Sequence, residues 1–325
     1  MIRRSGSSRF RRKSQSELRA ASGRARGQFE ARPDKRQYSA SVSATGLIAG
    51  RFPRSALLRP TWLLYAVWML DASPIAVFGD WHGDSGWALT AMRSAAREGA
   101  RTAIHVGDFG LDWPGAKRGR YEAKLNKYLV VLGLTLVVSG GNHDNWDTLE
   151  QLAVESDGLA TIRSNIRVLP RGGRTTIEGL TVGGLGGAFS VDYQHRTEGK
   201  DWWRNEEPTP EEAAALIAGG PLDILITHDA PAGVPLNGDF QLSDELTKKA
   251  DKTRLLLREV VDSLTVPQVF CGHWHQRCIH ELDHPDGTTT RVDVLNRENS
   301  RHGNGVLVWS SRAPMRVEPL EIRGA

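Results

Sequence analysis

The stretch Pro74-Ile75-Ala76-Val77-Phe78-Gly79-Asp80-Trp81-His82-Gly83 is an apolar run of strand length that stops at a glycine and leads straight into a carboxylate and an imidazole. A short apolar run of this length reads as a strand. Glycine lets the chain turn sharply where the strand ends. The pattern recurs at Gly107-Asp108 after Thr102 to Val106, at Gly141-Asn142-His143-Asp144 after Leu134 to Val138, at Thr227-His228-Asp229 after Leu222 to Ile226, and at Gly272-His273-Trp274-His275 after Val266 to Phe270. Helical segments are expected between these strands. They run from Ser85 to Glu98, Tyr121 to Val131, Trp146 to Val154, Thr209 to Ala218 and Ser243 to Leu264. In the last, Leu246, Ala250, Leu257, Val260 and Leu264 share one face, and Pro210 suits a first helical turn. Short strands are expected at Ile166 to Leu169, Thr175 to Ile177 and Leu180 to Val182, and the tail from Cys278 is β-rich, closing with Val306 to Trp309. Alternation of this kind argues for an α/β fold.

In open α/β sheets, ligands bind beyond the carboxyl ends of the strands. Five such ends side by side would pool their side chains into one cluster. Imidazole, carboxylate and amide oxygen together suit mid-row divalent metals such as manganese, iron or zinc. A carboxylate that bridges two cations lowers their mutual repulsion. Two metals about 3.5–4 Å apart can share a hydroxide and clamp a phosphate for in-line displacement. Five of the ten histidines (His82, His143, His228, His273 and His275) fall in these blocks, which makes coincidence a poor account.

Taken in order, the five blocks resemble the motif series of the calcineurin-like metallophosphoesterase superfamily, in its bacterial phosphoesterase branch. The resemblance spans roughly residues 74–280. It implies two packed mixed β-sheets flanked by helices, a four-layer αββα sandwich. It further implies that Asp80, His82 and His275 hold one metal, that Asn142, His228 and His273 hold the other, and that Asp108 bridges them. His143 would contact the phosphate and protonate the leaving oxygen, because expelling an alkoxide without a proton is costly near neutral pH. The expected activity is hydrolysis of phosphomonoesters or phosphodiesters by a metal-activated hydroxide. The expected cofactors are two divalent ions, manganese first, with iron or zinc as alternatives.

The second block departs from the Gly-Asp-x-x-Asp-Arg pattern of the phosphoprotein phosphatases. Here Gly107-Asp108-Phe109-Gly110-Leu111-Asp112 puts Leu111 where that branch has Asp, and no Arg follows. Asp112 or Asp144 is the expected carboxylate support for His143 in its place. Arg196, in the loop before the fourth block, is the candidate to grip phosphate together with Asn142 and His143, since Arg pairs with phosphate oxygens in bidentate fashion. Trp202 and Trp203, in the same loop, either stack on a planar group of the substrate or pack the loop on the core. His105 lies inside a strand and reads as a core residue. For His195, His280, His284 and His302 solvent exposure is the default.

Other classes fit poorly. No P-loop occurs, and Gly183 to Gly187 does not open a helix after a first strand, so a dinucleotide fingerprint is absent there. Cys271 and Cys278 alone do not make a structural zinc site. Cys271 reads as a small buried residue in its strand. Two cysteines in 325 residues exclude a disulfide framework and suit a reducing cytoplasm. No apolar run reaches the roughly 18–20 residues of a membrane span.

The charge is uneven. Residues 1–70 carry 15 Lys/Arg and 3 Asp/Glu, a net of +12, against −8 for the rest. Residues 1–68 are expected to be a disordered basic leader, with the phosphoesterase domain over 69–325. The leader reads as a nucleic-acid or anionic-surface tail, as a targeting segment, or as sequence upstream of a true start at Met69, the reading preferred here. Two rival functions follow: a nuclease tethered to DNA or RNA by the leader, and a non-catalytic, metal-stabilised binding protein. No obligate protein partner is implied.

Overall fold

The computed structural model describes residues 73–237, 242–310 and 315–322. The leader, its three readings and the boundary at Met69 lie outside the described residues.

Four parallel strands open the first sheet: β1 (Ile75–Phe78), β2 (Thr102–His105), β3 (Thr135–Val138) and, after the antiparallel β4 (Ala160–Arg163), β5 (Ile166–Val168). The hairpin partner β6 (Arg174–Ile177) leads into β7 (Leu180–Leu185), β8 (Ile224–Thr227) and β9 (Gln268–Cys271), which run parallel in the second sheet. Next come β10 (Cys278–Asp283), β11 (Thr289–Val294), β12 (Gly305–Trp309) and β13 (Arg316–Pro319). The seven-stranded sheet has the order β13-β12-β1-β2-β3-β5-β4, and the six-stranded sheet β10-β11-β9-β8-β7-β6. The chain thus returns at its end to pair β12 antiparallel with β1, Val77 opposite Val306.

Alternation along each strand builds the layers. Ile75 and Val77 of β1 face the second sheet and pack with Ile224, Ile226 and Phe270. Ala76 and Phe78 face the other way, onto α1 (Ser85–Arg97) and α2 (Arg120–Leu132) through Ala91, Met92, Leu125 and Leu129. On the far side, Leu225, Val269 and Cys271 meet α4 (Pro210–Ala218) and α5 (Asp244–Leu264) through Leu216, Leu257 and Val260. The expected αββα sandwich is therefore borne out, and it explains the unbroken apolar runs: the central strands are buried on both faces.

Local signals set the helix starts. Asp84 caps α1 by accepting from the amides of Gly86 and Trp87. Thr209 and Glu212 form a reciprocal capping box on α4, with Pro210 in the first turn. One helix is shorter than its sequence suggests. The expected helix from Trp146 to Val154 is a single turn, α3 (Trp146–Leu149), because Val154 bridges to Ala160 and the chain turns back through Gly158 into β4. Among the described residues, no helix is long and apolar enough to cross a membrane.

Candidate metal centre

The carboxyl ends of β1, β2 and β3 in one sheet, and of β8 and β9 in the other, open at the same edge of the sandwich. Backbone bonds tie them together there: the Gly272 amide donates to the His228 carbonyl and that of Gly187 to Gly140. The glycines are needed for closeness. A Cβ on Gly272 would overlap the carboxylate of Asp80, and one on Gly141 would overlap both backbone and carboxylate of Asp108. His82, Asp108, His273 and His275 all have positive φ, between 42° and 65°. Such left-handed conformations in non-glycine residues cost of order 1–3 kcal/mol each and gather where a site over-determines them.

Two groups of donor atoms result, and Asp108 belongs to both. Asp80, His82, Asp108 and His275 offer ligand atoms within 4.8 Å of one another, as do Asp108, His228 and His273. His82 Nε2 stands 3.3 Å from Asp108 Oδ2, His228 Nε2 3.1 Å from Asp108 Oδ1, and His275 Nε2 3.3 Å from Asp80 Oδ2. The Asn142 amide oxygen is 3.1 Å from His228 Nε2, which brings it to the second group.

The electrostatics of this cluster call for cations. Asp80 and Asp108 are fully buried, and burial raises a carboxyl's pKa, yet the neighbouring imidazoles hold both below the usual carboxylate value. Burial likewise opposes charge on His82, but hydrogen bonds to Asp108 and Glu298 pull it up to about 11. His228 rises to about 9 against its burial through Asp108. Two buried carboxylates beside imidazoles pair favourably with positive charge. Divalent ions supply that charge and displace the protons on binding. The donor set fits two such ions.

Partners that the sequence did not disclose aim the donors. Glu298 accepts from His82 Nδ1 at 2.8 Å, and the Val106 carbonyl from His228 Nδ1 at 3.0 Å, leaving each Nε2 free to face the centre. The Asn142 amide nitrogen donates to Ser190 Oγ at 3.0 Å, which turns its oxygen inward, and Glu206 accepts from the Ser190 hydroxyl and amide. Partners of this kind fix tautomer and ring orientation, and their loss costs about 10–100-fold in metal affinity. Glu298→Ala is expected to weaken metal binding by about that factor without unfolding the chain, read by metal titration against a chelating dye.

Burial raises Glu206 to about 8, against the Ser190 hydrogen bonds that lower it. Between its ordinary value of 4.5 and about 8, the folded chain keeps a proton that the unfolded chain has lost. Stability therefore falls as pH rises through that window. Glu206→Gln is expected to flatten this fall, seen as a smaller change in thermal midpoint between about pH 5 and about pH 8 than in the unmodified chain.

Around His143 the arrangement differs from the sequence expectation. Its ring nitrogens lie 3.1 and 2.9 Å from the two terminal nitrogens of Arg196, whose Nε pairs with Asp192 at 2.8 Å. Its amide donates to Asp108 Oδ1 at 2.7 Å. The two carboxylates expected behind it are engaged elsewhere. Asp144, raised to about 6 chiefly by burial, accepts the amides of Phe109, Gly110, Leu111 and Gly141 and so pins the second and third blocks together. Asp112 pairs with Arg118 and Thr148. Burial, with Arg196 adding to it, lowers His143 to about 4.

Trp203 is buried in the helix-facing core, so its packing reading holds, while Trp202 lies against Tyr193. His105 is buried and edge-on to Trp81. His195 and His302 are exposed and His280 is half-buried. His284 corrects the exposure default: it is buried between Asp262 and Thr290. Cys271 and Cys278 are free thiols, the former buried in β9.

A sandwich of two mixed sheets thus carries two groups of candidate metal ligands at one edge. The calcineurin-like phosphoesterase family model matches residues 73–277, and the chain belongs to that family. Membership in this dimetal-dependent family, with a candidate metal site present, makes it a metal-dependent phosphoester hydrolase. Among solved structures, TT1561 of Thermus thermophilus is similar in fold at a TM-score of 0.51 and 16% identity, covering 78% of this chain and 100% of that one. A dimetal phosphatase from Danio rerio aligns at a TM-score of 0.45 and 11% identity over 78% of this chain and 97% of that one, too distant to bear on the site. The comparison with curated proteins finds no match.

Proposed function

We propose that the protein hydrolyses phosphomonoesters or phosphodiesters at a two-metal centre, with manganese the first choice of metal. Asp80, His82 and His275 would hold one ion, Asn142, His228 and His273 the other, with Asp108 shared. The observation that carries this reading is the double membership of the buried Asp108 in both donor groups. When bound, the ions lower the pKa of water and polarise phosphate oxygens.

The side chains do the rest. Arg196, held by Asp192, offers a guanidinium beside His143 and supplies the phosphate contact that the second block lacks. His143 would give a proton to the leaving oxygen. Burial and Arg196 keep it neutral in the free site. A phosphate anion that engages Arg196 and faces the imidazole reverses that balance, so the proton is taken up with the substrate. Two free thiols suit a reducing cytoplasm, the compartment proposed. Turnover of p-nitrophenyl phosphate and its bis-ester by the full chain with manganese tests the reading. Hydrolysis that a chelator abolishes and manganese restores is expected, and inertness toward both esters and a nucleotide panel would contradict it.

A further inference from the structure

The segment that joins the second block to α2 is not used by the metal centre, and it lines a cavity open to solvent. The space is about 520 Å³ and is walled by Trp113, Lys117, Arg118 and Tyr121, reaching His82 and His143. That volume falls within the roughly 300–1,000 Å³ of small-molecule sites.

Three features of its wall suit a ligand. The Trp113 indole is fixed: its Nε1 donates to the His143 carbonyl at 2.6 Å, and its plane lies 19° from that of the imidazole with centroids 6.1 Å apart. Even so, Trp113 is 38% exposed, so a tethered aromatic surface is left uncovered. The Tyr121 ring lines the same wall, with its hydroxyl buried behind it. The wall also carries the exposed Lys117 ammonium, whereas Arg118 is committed to Asp112. A fixed, uncovered aromatic face beside a cation suits a planar group that bears hydrogen-bonding atoms.

Position then decides which part of the substrate this is. In hydrolysis, water adds to phosphorus, the bond from phosphorus to the leaving oxygen breaks, and that oxygen takes a proton to become an alcohol. If His143 gives that proton, the group borne by the leaving oxygen lies beside His143, where the cavity opens. We propose that this cavity is the leaving-group subsite, that it stacks a nucleobase-like ring on Trp113, and that the substrate is a nucleotide-class phosphate ester. The assignment rests on the reading of His143 given above.

Adenosine 5′-monophosphate and ribose 5-phosphate share the reacting ester and differ by the base. With manganese, the full chain is expected to show the higher kcat/KM on the nucleotide. Trp113→Leu should lower the ratio of the two by about tenfold or more, as loss of one base stack does. Trp113→Phe should keep most of the ratio, because it retains a ring although it, too, loses the indole bond to His143. An unchanged ratio in Trp113→Leu, or an equal fall in Trp113→Phe, overturns the proposal. Calorimetric titration with adenosine, which has no ester, separates the two readings. Saturable binding that Trp113→Leu abolishes supports the subsite even if neither ester turns over, and no binding to the unmodified chain overturns it.

Discussion

Replacing Asp108 by alanine is expected to abolish turnover and to cost the protein at least one of its two metals. Asp108 sits in both donor groups, its two oxygens within 3.3 Å of His82 Nε2 and 3.1 Å of His228 Nε2. It also receives the His143 amide. Its loss removes a shared ligand, a neutralising charge and an anchor of the third block at once. Lewis-acid stabilisation is worth several kcal/mol at the transition state. At about 1.36 kcal/mol per decade, its loss lowers kcat/KM by about 10³-fold or more. The measurement is kcat/KM on a phosphomonoester at saturating manganese. A fall of less than about tenfold would mean that Asp108 is not the shared ligand.

His143→Ala is expected to separate chemistry from metal binding. The imidazole lies between Arg196 and the edge of His82 but is a member of neither donor group, so both metals should stay. General-acid assistance contributes about 10²–10⁴-fold, and more where the leaving group is poor. An alkyl phosphate should therefore slow by about that factor, while p-nitrophenyl phosphate, whose leaving group departs as an anion, slows far less. The comparison needs both esters and the metal content on one preparation. Equal losses on the two esters would remove His143 from the role of acid.

How much of this was legible in the sequence depended on distance along the chain. The strand ends and their donors could be read because each block is local: apolar run, glycine, ligand. The αββα layering followed from the same blocks through their resemblance to a known motif series, and alternation within β1 shows its physical basis. Contacts that span the chain were invisible. Glu298 reaches His82 across 216 residues, from a loop with no motif of its own. Ser190 and Glu206 orient Asn142 from a loop in which neither residue belongs to a motif. Trp113 lay in plain view beside Asp112, but nothing local says that it stacks on His143. The expected carboxylate support for His143 missed for a related reason. Asp144 is adjacent in sequence, yet its carboxylate turns back to cap four backbone amides.

The metal stoichiometry of the purified full chain, measured by plasma mass spectrometry after manganese loading and removal of free ion, bears most directly on the central claim. About two divalent ions per chain are expected, dropping to one or none in Asp108→Ala. An active, unmodified chain that holds only a single ion, or an Asp108→Ala variant that still holds both, would contradict it.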